Sequence, residues 1–217
     1  MEELELRREM VAACRRMNDI GLNQGTSGNV SARCGDRILV TPTSLPYDEM
    51  QPEDIVAMDA DGHFEGQRKP SSEWRFHHDI LSNRRDVNAV LHCHSTHAAA
   101  MACHQLDINS FHYMVAVAGG TNIRCAPYAT FGTQALSDSA LKALEGRKAC
   151  LLGQHGQIAL GSTLKQALAL AIEVETLAKM YIIARQMGEP PVLSEEEMGR
   201  VMNQMNQMHY GVTRSPS

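Results

Sequence analysis

The sequence predicts one α/β domain. Segments with the short apolar or alternating pattern of strands alternate with segments of helical period along the whole chain. The chain has 217 residues, a length that suits one domain with a substantial core. No internal repeat or low-complexity linker interrupts the alternation. We therefore expect residues 1–217 to form a single domain, with a mobile tail at about 209–217.

The first part of the chain predicts a helix followed by short strands. Leu6, Met10, Cys14 and Met17 recur at helical spacing, and Gly21 follows as a stop signal. Short apolar runs between Gly and Pro residues then predict strands at about 30–33, 38–41 and 54–59. The sequence Ala60-Asp61-Gly62 favours a turn within a hairpin.

The rest of the chain alternates between helices and strands. Ser71-Ser72-Glu73 predicts the start of a helix that continues through Leu81, with a serine as its N-cap and an acid in its first turn. The remaining elements are expected as a strand at 88–94, helices at 96–104 and from Thr133 to about 144, strands at 149–152 and 157–160, a helix at 163–187, and a last helix after Ser194.

Composition excludes several classes of function. The net charge of -5 does not favour a surface for nucleic acid or anionic membranes, so a substrate phosphate would need a local site. No run of about 18 apolar residues is present, and the charged N-terminus does not resemble a signal peptide. The six cysteines form no CxxC pair, which favours reduced thiols in a cytoplasmic protein.

Three histidines have the placement of metal ligands. His92 and His94 lie two residues apart in VLHCHSTH, so a strand would project both imidazoles to the same face. His155 lies in a glycine-flanked turn between two apolar strands and could supply a third ligand. Three histidines with an open position are typical of catalytic zinc. His97 follows the pair closely, but we expect it to point elsewhere from the start of the next helix.

Glu73 leaves two interpretations open. As an acid in the first turn of a helix, it would favour the helix dipole and have no further role. Beside a metal it could be a fourth ligand that the substrate displaces, and it could then act as a general base. Spacing alone does not decide between them.

Three small-residue segments could bind an anion through hydroxyl groups and backbone N–H groups. They are Gly25-Thr26-Ser27-Gly28-Asn29, Thr41-Pro42-Thr43-Ser44 and Ser71-Ser72. Each could equally be a plain turn or helix cap. None has the glycine pattern of a nucleotide-binding loop, but together with a metal site they suit a small phosphorylated substrate.

Six segments together resemble the class II aldolase/adducin-like family. In chain order they are GLNQGTSGNVSAR, LVTPTSLPY, KPSSEWRFH, VLHCHSTH, FHYMVAVAGGTNIRCAPYATFG and GQHGQIALG. The segments occur in the family's order and with nearly its spacing, over almost the whole chain. The resemblance implies an α/β/α sandwich around a mostly antiparallel sheet. It also implies a fourfold-symmetric homotetramer with its sites between subunits.

The resemblance also implies a catalytic arrangement. It implies one zinc ion per subunit at His92, His94 and His155, with Glu73 as a ligand that leaves the metal to move protons. The residues implied for the substrate phosphate are Gly28, Asn29, Thr43, Ser44, Ser71 and Ser72.

For the other half of the substrate, the resemblance implies a second catalytic residue, Tyr113, which reaches in from a neighbouring subunit. Thr26 and Phe131 are then expected to shape the aldehyde pocket. The implied reaction is reversible cleavage of a ketose 1-phosphate, of the L-fuculose 1-phosphate type, to dihydroxyacetone phosphate and a small aldehyde such as lactaldehyde.

Three alternatives stay open. The first keeps the chemistry but takes 5-deoxyribulose 1-phosphate or 5-methylthioribulose 1-phosphate. The second is a sugar-phosphate 4-epimerase of the same family, and the third is a non-catalytic, adducin-like interaction module. Three departures from the family pattern bear on the site: Ser44 stands where this branch usually has glycine, Ser27 replaces a small apolar residue, and the residues that flank Tyr210 in the tail differ.

Overall fold

The computed structural model describes residues 2–208 and residue 210. The α-helices in this part are α1 (Glu3–Asp19), α2 (Trp74–Asn83), α3 (Thr96–Cys103), α4 (Gln134–Ala143), α5 (Leu164–Arg185) and α6 (Glu195–Gln207). The strands are β1 (Asn29–Cys34), β2 (Arg37–Val40), β3 (Val56–Met58), β4 (Phe64–Glu65), β5 (Ala89–Cys93), β6 (Ile108–Asn109), β7 (Asn122–Ala126), β8 (Ala149–Leu152) and β9 (Gly156–Gly161). Short 3-10 helices cover Pro52–Asp54 and Tyr113–Ala118.

The strands form one mostly antiparallel sheet, as predicted. Its order is β4-β3-β2-β1-β5-β9-β8-β7-β6. Only β7 and β8 run parallel among the strand pairs of the described chain. The order places β5 between β1 and β9, with Asn29 opposite His92 and His92 opposite Ile158. The central strands thus bring three distant segments side by side.

Helices cover both faces of the sheet, which confirms the three-layer α/β/α arrangement. On one face, α1, α3 and α5 share a core with Leu91 and Cys93 of β5. On the other face, α2 and α4 pack on Val90 and Ile158. Because side chains alternate along β5, His92 faces the same layer as Val90, against Phe76 of α2.

Most predicted elements are confirmed, but the segment between α3 and α4 was missed. The strands β6 and β7 and the 3-10 helix Tyr113–Ala118 were not predicted from the sequence. The strand β6 has two residues, and β7 lies close to the sheet edge with only Ile123 and Ala126 buried. Strands this short and this partly buried have too few apolar residues to display a period.

The predicted serine N-cap of α2 is wrong. The helix begins at Trp74, and Glu73 occupies its N-cap position. Ser71 lies in the preceding turn, where its carbonyl accepts from Trp74 N–H at 3.0 Å and its hydroxyl accepts from Glu73 N–H at 3.2 Å. The Glu73 carboxylate makes no capping bond to its own helix.

The predicted tail at about 209–217 lies outside the described residues, apart from Tyr210. Within the described part, no helix is both long enough and apolar enough to cross a membrane. All six cysteines belong to this part, and each is a free thiol.

Candidate active site

The structure brings the three predicted histidines together. His92 and His94 project from the end of β5 to one side, and their Nε2 atoms lie 3.0 Å apart. His155 comes from the turn between β8 and β9, and its ring centroid lies 4.8 Å from each of the other two. One nitrogen from each ring lies within 4.8 Å of the others, so the three could hold one metal ion.

The imidazoles are neutral and oriented as metal ligands require. His92 is completely buried, and burial together with neighbouring His94 lowers its pKa to about 3. Its Nδ1 donates to the carbonyl of Gln157 at 2.9 Å, which leaves the lone pair on Nε2 to face the cluster. Burial also lowers the pKa of His155, to about 4, and that of His94.

Gly156 allows the turn to approach β5. A Cβ at this position would lie 2.5 Å from the Cys93 carbonyl oxygen, 2.9 Å from His94 Cδ2 and 3.3 Å from His92 Cε1. Any side chain would therefore separate the strands or displace both rings. Glycine beside His155 therefore permits this close approach.

Glu73 faces the histidines from α2. The residue is 5% exposed, and its Oε2 lies 3.3 Å from His92 Nε2 while its Oε1 lies 3.3 Å from His155 Nε2. Oε2 accepts from Asn29 Nδ2 at 3.0 Å, whereas Oε1 accepts a hydrogen bond from no described residue. A buried carboxylate oxygen left without a donor costs free energy unless a cation satisfies it. The three imidazole nitrogens and the Glu73 carboxylate therefore fit a divalent metal ion.

A cleft of about 350 Å³ opens beside the histidines. The predicted substrate residues all line it: Thr26, Gly28, Asn29, Thr43, Ser44, Ser71, Ser72 and Phe131. Glu73, His94 and His155 border the same space, while His92 lies buried behind it. The structure thus joins the small-residue segments and the histidines in one site.

Ser44 adopts a conformation that favours glycine. Its φ is 58°, in the left-handed region where a side chain is strained by about 1–2 kcal/mol. Its hydroxyl lies 3.3 Å from that of Thr43 at the exposed rim of the cleft. The departure from glycine noted in the sequence therefore adds both a hydroxyl group and backbone strain at the site.

Two larger side chains of the cleft were not predicted from the sequence. Tyr128 and Gln154 line it, and Tyr128 is 56% exposed although aromatic. Gln154 has a φ of 55° in the tight turn before His155. The signal for Tyr128 was an aromatic residue three positions before Phe131, and the signal for Gln154 was its place beside His155.

Two residues singled out from the sequence, His97 and Tyr113, lie outside the cleft. His97 Nδ1 is 2.6 Å from Glu175 Oε1, so the prediction that His97 points elsewhere is confirmed. Tyr113 begins a 3-10 helix, is 50% exposed and does not line the cleft of its own chain. Its role in a neighbouring subunit's site stays a prediction, because a single chain does not test it.

Comparison with known proteins gives this site its family. A family model described as Class II Aldolase and Adducin N-terminal domain matches residues 8–182. The chain is 53% identical to 5-methylthioribulose-1-phosphate/5-deoxyribulose-1-phosphate aldolase of Rhodospirillum rubrum, over 92% of this chain and 90% of that relative. It is 47% identical to L-fuculose phosphate aldolase of Escherichia coli K12, over 93% of this chain and 94% of that relative.

A solved structure shares the fold along nearly the whole chain. The structure, of an L-fuculose 1-phosphate aldolase, has a TM-score of 0.90 and 38% identity, and covers 93% of this chain and 96% of its own. The family is metal-dependent, in agreement with the three-histidine cluster. The chain therefore belongs to the class II aldolase and adducin family, and it is an aldehyde-lyase of that family's class II aldolase type.

Proposed function

We propose that this enzyme reversibly cleaves a ketose 1-phosphate to dihydroxyacetone phosphate and a small aldehyde. The observation that carries the proposal is the position of Glu73. Its buried carboxylate faces three neutral imidazoles, and one of its oxygens has no donor among the described residues. A proton-accepting group is thus poised next to a site for a Lewis acid.

The proposed metal is one zinc ion per subunit, held by His92, His94 and His155 with Glu73 as an additional ligand. Three neutral histidines with an open position are the donor set of catalytic zinc. When bound, the cation supplies Lewis-acid stabilisation of the negative charge that develops on the substrate oxygens. Glu73 then moves the protons at the reacting carbons and oxygens.

The lining of the cleft supports this choice of chemistry. No lysine is among the described lining residues, so the cleft offers no amine for a Schiff base. No arginine lines it either. We propose that hydroxyl and amide groups bind the substrate phosphate, from Gly28, Asn29, Thr43, Ser44, Ser71 and Ser72.

Two candidate substrates differ in the aldehyde that cleavage would release. The 53% identical relative supports 5-methylthioribulose 1-phosphate or 5-deoxyribulose 1-phosphate. The exposed rings of Tyr128 and Phe131 support 5-methylthioribulose 1-phosphate in particular, because a thioether sulfur makes favourable contacts with aromatic rings. The 47% identical relatives support L-fuculose 1-phosphate, whose aldehyde product carries an additional hydroxyl group. We place the deoxypentulose phosphates first.

Tyr113 and the oligomeric state belong to the same proposal. We propose a homotetramer in which Tyr113 of one subunit serves the aldehyde side of the next, with Thr26 and Phe131 shaping that pocket. The half-exposed ring of Tyr113 at the surface of the single chain supports this arrangement. Light scattering measures the assembly. Mixed tetramers of Glu73→Gln and Tyr113→Phe subunits should regain activity that each parent lacks, and mixtures no more active than the parents would refute shared sites.

A substrate panel tests the reaction itself. The purified enzyme is offered the three ketose 1-phosphates, and the release of dihydroxyacetone phosphate is measured before and after metal removal. We expect cleavage that stops on chelation and returns with zinc. Glu73→Gln should keep the metal and lose kcat by about 100-fold or more, whereas Glu53→Gln, outside the cleft, should match the wild type. Cleavage that survives complete metal removal, or a fully active Glu73→Gln enzyme, would overturn the proposal.

A further inference from the structure

A second buried histidine lies behind Glu73, outside the metal cluster. His77 on α2 is 1% exposed and does not line the cleft. Its Nδ1 lies 2.7 Å from Ser31 Oγ, and its Nε2 lies 2.5 Å from Asn29 Oδ1. Burial lowers the pKa of His77 well below its ordinary value, so the ring is neutral and has one donor and one acceptor nitrogen.

Glu73, Asn29, His77 and Ser31 form a row of hydrogen bonds, and the Glu73 carboxylate sets the direction of each one. Glu73 Oε2 can only accept, so the amide nitrogen of Asn29 faces it, at 3.0 Å. The amide oxygen of Asn29 must then face His77 and accept from it, which places the ring proton on Nε2. The Nδ1 atom of His77 is left to accept from the hydroxyl of Ser31.

The residue spacing along β1 and along α2 explains why two side chains of the helix contact two side chains of the strand. Asn29 and Ser31 lie two residues apart on one face of β1, a separation of about 6.6 Å along a strand. Glu73 and His77 lie four residues apart at the start of α2, a separation of about 6 Å along a helix. Because the two separations match, α2 can place both side chains against both partners on the strand.

We propose that His77 is a positioning residue for the aldolase reaction: through Asn29 it holds one carboxylate oxygen of Glu73 and leaves the other for proton transfer. The inference rests on the proposed role of Glu73. Without the donor on His77, the Asn29 amide is free to rotate and to turn its oxygen towards the carboxylate. Oε2 of Glu73 would then lose the hydrogen bond that it accepts from Asn29.

Two substitutions of His77 separate positioning from packing. His77→Leu removes both nitrogens, and we expect kcat to fall about 10- to 100-fold while the three-histidine metal site stays loaded. His77→Gln restores an N–H donor near the place of Nε2, so it should recover most of that loss. His78→Leu is the matched control, because His78 also lies on α2 but bonds to Ala60 and Asp79 away from the cleft.

A double-mutant cycle tests whether His77 acts through Asn29. In an Asn29→Ala background, His77→Leu should lower kcat no further, because the group that it orients is absent. Independent losses that multiply in the double variant would overturn the proposal. So would a His77→Leu enzyme with wild-type kcat and only a lower melting temperature.

The ring proton provides a readout that needs no activity. The ¹⁵N spectrum of the imidazoles in metal-free wild-type enzyme should show His77 as the neutral Nε2–H tautomer, and the Nδ1–H tautomer would overturn the proposal. Because this measurement uses the wild-type enzyme, it tests the proposal even if the His77→Leu variant does not fold. It is independent of the substrate panel, so failure of the proposed reaction and failure of this inference are distinguishable.

Discussion

Replacing Gly156 by alanine tests how closely the metal site depends on the approach of two strands. Gly156 opens β9 directly after His155, and its added Cβ would lie 2.5 Å from the carbonyl oxygen of Cys93. Contacts under 3.0 Å are essentially never seen, and this partner is backbone that cannot rotate away. The strands β5 and β9 must therefore separate by about 0.5–1 Å, which exceeds the tolerance of a preorganised site.

The separation has two measurable costs. Overpacking at a buried position destabilises a protein by about 1–3 kcal/mol, which for a chain of this length lowers the melting temperature by about 2–12 °C. The same Cβ would lie 2.9 Å from His94 and 3.3 Å from His92, so both rings shift with the strand. A displacement of about 1 Å at a catalytic site can lower the rate about 100-fold.

Three assays follow these effects: thermal unfolding of the metal-free protein, metal content after dialysis, and release of dihydroxyacetone phosphate. Gly199→Ala is the matched control, because its Cβ meets nothing within 4 Å on α6, and alanine should stabilise that helix by up to about 1 kcal/mol. A Gly156→Ala enzyme with full metal content and wild-type kcat would refute the reasoning.

Three further predictions concern the same site and its support. His155→Ala should lose both bound metal and cleavage, as measured by atomic absorption and product release; one metal ion per chain in the variant would contradict a three-histidine site. In the metal-free protein, burial lowers the pKa of His92 from 6.5 to about 3, so below pH 6.5 the unfolded chain binds a proton that the folded chain does not. His92 alone should then lower the free energy of unfolding by about 1.4 kcal/mol for each pH unit from about 6.5 towards 3, and the lowered pKa values of His94 and His155 act in the same direction. Equal urea midpoints at pH 7 and pH 5 would contradict this. Glu175 accepts the N–H groups of His97 and Ala98 at the start of α3; Glu175→Ala should cost about 1–2 kcal/mol of stability in urea unfolding, and an unchanged midpoint would count against this capping role.

The local sequence was enough to predict the elements that carry the site. The alternation of side chains along a strand places His92 and His94 on one side without any knowledge of the neighbouring strands. The glycines around His155 predict a tight turn for a similar reason, since backbone freedom is a property of the residue itself. The first residue of α2 was harder to predict, because several residues of the Ser71-Ser72-Glu73 run are able to cap a helix.

The packing of β1 against α2 could not be predicted in this way. Neither Asn29 nor His77 carries a sequence signal for contact, because 48 positions separate them along the chain. No pattern in the sequence distinguishes His77 from a surface histidine. Its buried place between Ser31 and Asn29 became visible only once the helix lay on the strand.

The sequence by itself therefore determined the order of most elements outside the segment between α3 and α4, the shared side of His92 and His94, and, through its resemblance to a family, the class of chemistry. Only the tertiary structure decided that β9 pairs with β5, which brings His155 to the other two histidines. It also decided that α2 turns Glu73 towards them. The physical reason is that backbone and side-chain periods are local, whereas strand order and helix placement depend on which apolar faces bury one another across the whole chain.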